Sequence, residues 1–130
     1  MDSAEHILNC LFCSIPTERI IAKNELVYAI RDGFPVTPMH SLIIPFRHVS
    51  DFFGLTFDEL KASQDLIQQV KDELLTIDQT VNGFNIGMNC GESAGQTIFH
   101  CHIHLIPRRN GDVPNPRGGV RHIIPGKGLY

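Results

Sequence analysis

The segment Phe99-His100-Cys101-His102-Ile103-His104-Leu105-Ile106-Pro107 (FHCHIHLIP) places an imidazole at every second position. The residues between them, Phe99, Cys101, Ile103 and Leu105, are apolar or small. This period-two alternation predicts a half-buried strand, because successive side chains of extended backbone point to opposite faces. Three of the seven histidines therefore share one face, about 6.7 Å apart per two-residue step. Three chemistries use such a face. Neutral imidazoles can bind zinc; one imidazole can attack an electrophile while its neighbours donate hydrogen bonds to the developing charge; or the histidines form a solvated polar face. A polar face rarely uses histidine three times running, and the strand alone does not separate metal from nucleophile.

Outward from this strand, the chain reads as alternating short elements. Around Cys10-Leu11-Phe12-Cys13 the first fifteen residues read as a short helical turn. Arg19–Lys23 and Leu26–Arg31 are apolar-rich runs parted by Asn24 and Glu25, which predicts a hairpin. Asp32-Gly33 marks a turn, Pro35 and Pro38 keep the next loop extended, and His40–Pro45 is a further strand. Thr56-Phe57-Asp58-Glu59 has capping-box spacing, and Leu60, Leu66, Ile67, Val70 and Leu74 follow at helical intervals. One amphipathic helix over Phe57–Thr76 is expected, its stripe serving as ordinary core. Gly83–Asn89 reads as a strand, Cys90–Gln96 as a loop, and Arg108–Tyr130, with five glycines and three prolines, as an extended tail. The order implies an α+β fold: a five-stranded antiparallel sheet with one main helix, within one domain spanning residues 1–130.

Composition narrows the class. With 130 residues, 42% hydrophobic and 19% charged, the chain is globular in profile and long enough for a core without staples. A net charge of −3 provides no basic field for nucleic acid, so an anionic ligand needs a local site. The start MDSAEHILNCLFC lacks a basic n-region, and no apolar run approaches the roughly 20 residues of a membrane span. Four cysteines do not make a disulfide scaffold, and a cytoplasmic setting fits them. Upstream of the histidines, Asn89-Cys-Gly-Glu-Ser-Ala-Gly-Gln-Thr97 is a loop of small and amide residues able to aim N–H groups at phosphate oxygens. Downstream, Arg108 and Arg109 add positive charge.

These residues carry a resemblance. The segment GQTIFHCHIHLIPR (95–108) is similar to the histidine triad family, whose mark is His-φ-His-φ-His-φ-φ with hydrophobic φ. The likeness extends to the CLFC start, to the block AIRDGFPVTPMHSLIIPFRHV and to the tail GDVPNPRGGV. The resemblance implies a histidine-triad fold acting at the α-phosphate of a nucleotide, on dinucleoside polyphosphates or adenosine phosphoramidates. His102 would be the nucleophile forming a nucleotidyl-imidazole, and His104 would bond a phosphate oxygen and, as imidazolium, stabilise charge. Gln96 and Thr97 match positions contacting the phosphates or leaving group, Asn89 matches a further phosphate contact, Gly95 counts with them as substrate-binding, and His40 supports the hydrogen-bond network. Asp32 matches an acidic or amide position on the ribose hydroxyls, although Asp-Gly is also a common turn dipeptide. Met39 departs from the pattern: relatives often carry glycine there, and a side chain resists positive φ.

Cys10-x-x-Cys13 can be a redox pair, a metal knuckle or two buried thiols; the redox reading lacks the strand-then-helix context it requires. The zinc-bearing branch of the family implies two further ligands, His48 and His100. Together with Cys10 and Cys13 they would make a saturated, structural Zn²⁺ site. Cys101 is expected in the core, and His6 and His122 look incidental. The resemblance also implies a homodimer through the helix and a sheet edge, and a tail reaching toward an active site, where Arg117 or Arg121 would meet a polyphosphate. Competing readings are a phosphorylase or nucleotidyltransferase, a nucleotide-binding scaffold with little turnover, and a metal protein with zinc on the triad itself.

Overall fold

The computed structural model describes residues 9–130; His6 lies outside them. Strands β1 (Ile20–Lys23), β2 (Val27–Arg31), β3 (Ser41–Pro45), β4 (Val81–Gly87) and β5 (Ile103–Arg109) form an antiparallel sheet in the order β1-β2-β3-β5-β4. Helix α1 (Phe57–Ile77) covers one face, and a short 3-10 turn, Leu11–Cys13, lies against the other. This is the α+β arrangement that the periodicities predict.

The sheet packs differently along its width. Val27, Ala29, Ile43, Ile103 and Leu105 meet Leu66, Val70 and Leu74 of α1. On the far face Tyr28, Ile30, Leu42 and Ile44 are covered by Phe12, whose carbonyl accepts the Tyr28 hydroxyl. Strands β2 and β3 are thus buried on both faces, which is why their sequences run apolar without alternation. In β5 only the helix side is closed, so Ile103, Leu105 and Pro107 are buried while His104 and Ile106 are partly open. Each aliphatic side chain so buried contributes about 1.5–3 kcal/mol, enough to hold the sheet against α1.

Helix α1 begins where its capping box stands. Thr56 Oγ1 accepts from Glu59 N at 3.0 Å, and Glu59 Oε1 accepts from Thr56 N at 2.9 Å. Glu59 is nevertheless buried, and Arg47 holds both its oxygens, at 3.0 and 2.7 Å. The carboxyl therefore titrates below the usual range despite burial, because Arg47 and Thr56 stabilise its charged form.

Three boundaries differ from the sequence expectation. Thr17–Arg19 forms a 3-10 turn before β1. Strand β4 starts at Val81 and stops at Gly87. Strand β5 starts only at Ile103, because the β3 ladder ends at the Ile43–Ile103 pair. The preceding segment is tied elsewhere, Cys101 N donating to the Val49 carbonyl at 2.7 Å. The tail also departs from an extended loop. Residues Gly119–Ile123 coil into a 3-10 helix, and the chain turns back so that the Tyr130 ring lies between Arg117 and Arg121, 5.0 and 4.9 Å from their guanidinium carbons.

Met39 adopts the left-handed conformation at φ 68°, the one non-glycine among the described residues to do so. Its backbone turns the chain into His40, while its side chain packs at the edge of the helix-side core. A side chain in this region costs about 1–2 kcal/mol. Alanine and glycine at position 39 lose the same packing, and only glycine relieves the strain. Met39→Gly is therefore expected to be more stable than Met39→Ala by roughly 0.5–1 kcal/mol in denaturant unfolding, the sign opposite to that at an ordinary site.

Candidate active site

The hydrogen-bond partners of each ring assign its tautomer, and the assignments differ between neighbours. His102 Nδ1 lies 2.8 Å from the carbonyl of His100. A carbonyl only accepts, so Nδ1 carries the proton and Nε2 keeps its lone pair. Among the described residues Nε2 of His102 has no hydrogen-bond partner, and the Phe12 ring braces the imidazole edge-on at 5.0 Å.

His104 is set the opposite way, through His40. The Val36 N–H donates to His40 Nδ1 at 3.2 Å, so His40 carries its proton on Nε2. That proton is directed at His104 Nδ1, 2.9 Å away, with Asp32 Oδ2 at 3.4 Å as a second acceptor. His104 consequently bears its own proton on Nε2. Two imidazoles 5.3 Å apart thus present a lone pair and an N–H donor side by side.

Burial and the neighbouring His102 and His40 push the His104 pKa down to about 4, against a weaker opposing pull from Asp32. Burial lowers His40 as well, again partly offset by Asp32. The imidazolium expected at 104 is therefore a neutral donor near pH 7, since desolvation disfavours the charged ring. An anion beside it would raise that pKa.

The remaining predicted residues fall into two groups. Gly91–Gln96 forms a tight loop around the 3-10 turn Glu92–Ala94, closed by Gly95 at φ 95°, a conformation that favours glycine. Gln96 is buried with its amide wholly engaged by main chain: Oε1 accepts from Gly91 N, and Nε2 donates to the Ser50 and Ile98 carbonyls. It braces the loop. Asn89 and Gly95 line a cavity of about 1010 Å³ that also includes His104, whereas Thr97 is exposed outside it. Asp32 accepts from Phe34 N through Oδ1 at 2.8 Å and faces the histidines through Oδ2.

The sequence reading missed much of this cavity. Its walls include Asn85 and Ile106 on the sheet and Val120, Ile123 and Ile124 on the tail. The spacing of those three apolar tail residues, i, i+3 and i+4 after Gly118-Gly119, was a legible helical-turn signal. Arg117 and Arg121, expected toward a polyphosphate, flank Tyr130 instead.

Cys10, Cys13, His48 and His100 converge in a second cluster, their ligand atoms all within 4.8 Å of one another. Cys10 Sγ and Cys13 Sγ lie 3.4 and 3.5 Å from His100 Nδ1, and Cys13 Sγ lies 3.3 Å from His48 Nδ1. Ligand atoms on a tetrahedral zinc with ordinary bond lengths sit about 3.3–3.8 Å apart. The tautomer fits as well. His100 Nε2 donates to the Pro45 carbonyl at 2.8 Å, so Nδ1 presents a lone pair to the thiols, with the outer-shell partner common to metal-bound histidines. Asp32, His40 and His104 also cluster, but the Val36 N–H on His40 Nδ1 keeps the proton on Nε2, where a metal would need the lone pair. Only the first set suits a cation.

A family model described as the HIT domain matches residues 15–111. The chain belongs to the HIT family. Its structure resembles that of a HIT family protein from Bacillus anthracis, with 36% identity and a TM-score of 0.73 over 80% of this chain and 76% of that one. A zinc-bound histidine triad family protein from Mycobacterium smegmatis is 32% identical, with a TM-score of 0.73 over 81% of this chain and 78% of that one. An AP-4-A phosphorylase from Mycobacterium tuberculosis is 34% identical over 95 residues, which span 72% of this chain and about half, 48%, of that protein.

The tautomer assignment makes a pH prediction. A folded pKa near 4 against an ordinary 6.5 means that the unfolded chain takes up a proton first as pH falls. His104 therefore stabilises the fold above about pH 6.5, and this contribution is lost as pH falls toward 4. In NMR titrations the His104 ring should remain neutral, protonated on Nε2, from pH 7 down to 5.5. Titration near 6.5 would remove the assignment.

Proposed function

We propose that this protein cleaves nucleotides at the α-phosphate through a covalent nucleotidyl-His102 intermediate. The supporting observation is the opposed protonation of adjacent rings, with a lone pair on His102 Nε2 and an N–H on His104 Nε2. The lone pair forms a P–N bond while the bond from the α-phosphorus to the leaving group breaks, its electron pair leaving with that group. His104 donates to a non-bridging oxygen as negative charge gathers there, the electrostatic contribution that commonly dominates such reactions. Water then attacks phosphorus, the P–N electrons return to Nε2, and the water's proton passes to solvent. A polyphosphate leaves as an anion and needs no proton, whereas an amine must take one.

Around this centre His40 fixes the His104 tautomer, and Gln96 is a positioning residue for the loop bearing Asn89, Gly95 and Thr97, which surrounds the phosphates. The Asp32 carboxylate retains lone pairs for a ribose hydroxyl beyond its bond to Phe34 N. Zinc, when bound to Cys10, Cys13, His48 and His100, supplies a structural cross-link between the N-terminal turn and the segment before β5. Inorganic phosphate in place of water would make the protein a phosphorylase, an outcome favoured by the name of the mycobacterial relative. Self-association through the exposed Ile77 on α1 and Ile86 on the edge strand β4, in a cytoplasm that keeps the thiols reduced, completes the reading. Among the described residues no helix is long and apolar enough to cross a membrane.

His102→Ala should lower turnover of diadenosine tetraphosphate by at least about 1,000-fold, with either acceptor, while nucleotide binding persists. Rapid quench of the unaltered protein should trap label on His102; full activity of the variant would refute the nucleophile. Elemental analysis gives a separate check. Cys10→Ser and Cys13→Ser should lose zinc, and His102→Ala and His104→Ala should keep one equivalent; metal loss in the latter pair would move the ion onto the triad.

A further inference from the structure

The His102 ring makes one hydrogen bond among the described residues, from Nδ1 to the carbonyl of His100 at 2.8 Å. That carbonyl belongs to the same peptide unit as the N–H of Cys101, which donates to the Val49 carbonyl at 2.7 Å. A peptide unit is planar, so fixing the direction of its N–H fixes that of its C=O as well. Hydrogen bonds in series also polarise one another, and the Cys101–Val49 bond makes the His100 carbonyl a stronger acceptor. Cys101 stands before β5 and outside the sheet ladder, so strand pairing does not take over this task.

Val49 is itself fixed on three sides. On one side of it in the chain, His48 Nδ1 lies 3.3 Å from Cys13 Sγ. On the other, the Ser50 carbonyl accepts from Gln96 Nε2 at 2.7 Å. Its buried side chain rests against Gly54, where a Cβ would stand 2.5 Å from Val49 Cγ2. Gly54 does not adopt positive φ, so its own backbone does not call for glycine. The close approach of Val49 does. A β-branched side chain is stiff at χ1, and a methyl group at position 54 would therefore press on the Val49 main chain.

We infer that Val49 is a positioning residue for His102: its carbonyl sets the plane of the 100–101 peptide, which aims the ring, and Gly54 leaves it the room to do so. Its effect on rate rests on the reading of His102 as the nucleophile; the geometry stands apart from that reading. A misplacement of about 1 Å can cost roughly 100-fold in rate, so a small movement of this peptide is enough.

Two variants and two signals test it. In the unaltered protein a scalar coupling across the hydrogen bond should join Cys101 N to Val49 C′. In mildly alkaline buffer the ring nitrogens of His102 should report the Nδ1–H tautomer. Gly54→Ala should weaken the coupling, shift the ring toward a mixture of tautomers and lower kcat for diadenosine tetraphosphate at least about tenfold. Position 54 is exposed and lies outside the sheet and α1. Adding Val49→Ala removes Cγ2, and the double variant should regain the coupling, the tautomer and most of the rate. No coupling in the unaltered protein, an undisturbed ring and rate in Gly54→Ala, or a defect that Val49→Ala does not repair would overturn the positioning role. If the unaltered protein turns over no nucleotide, the nucleophile falls instead, and the coupling and ring signals still decide the role of Val49.

Discussion

The site depends on one short hydrogen bond, from His102 Nδ1 to the carbonyl of His100 at 2.8 Å. It sends the proton to the inner nitrogen and leaves the outer one with its lone pair. His100 can serve as acceptor because it is immobilised at both ends of its ring. Nε2 is bonded to the Pro45 carbonyl, and Nδ1 faces the thiols of Cys10 and Cys13. The first histidine of the motif is thus a fully buried support for the second, and its ring points to the Cys10 and Cys13 thiols while its main chain orients the His102 ring.

The sheet makes this division of labour available. Strands β2 and β3 are enclosed on both faces and hold the floor rigid, while β5 is closed only toward α1. His104 therefore sits where burial is partial, with a side chain 24% exposed: dry enough for its charged form to be disfavoured, open enough to reach a ligand. The Val36–His40–His104 series acts from the far side of the cleft and sets the opposite tautomer. A main-chain N–H on a loop decides which nitrogen of a ring two bonds away carries the proton.

Much of this was legible in the chain. Alternation in 99–107 pointed to a strand, which forms only from Ile103, so that His104 alone of the three histidines lies on its open face and His100 is buried before it. The Thr56–Glu59 box gave the helix start, and the likeness to the histidine triad family named Cys10, Cys13, His48 and His100 as one set. Other features were not. Gln96 looked like a phosphate contact, yet burial consumes every polar atom of its amide. The tail looked extended because glycine and proline dominate its composition; the spacing of its apolar triplet signalled a helical turn, but that the turn lines a cavity with β4 and β5 was decided by the fold.

Local pattern determines what depends on neighbours in sequence: side-chain parity along a strand, the cap of a helix, and the donor types available to a metal or a phosphate. By itself the sequence thus settled the element order and supplied the chemically competent residues. Tautomers, protonation and the shape of the cavity were decided only by the tertiary structure. Each of these arises from groups distant in the chain, His40 against His104, Pro45 against His100, Gly119 against Asn85, whose contacts and shared desolvation exist only once the sheet has formed.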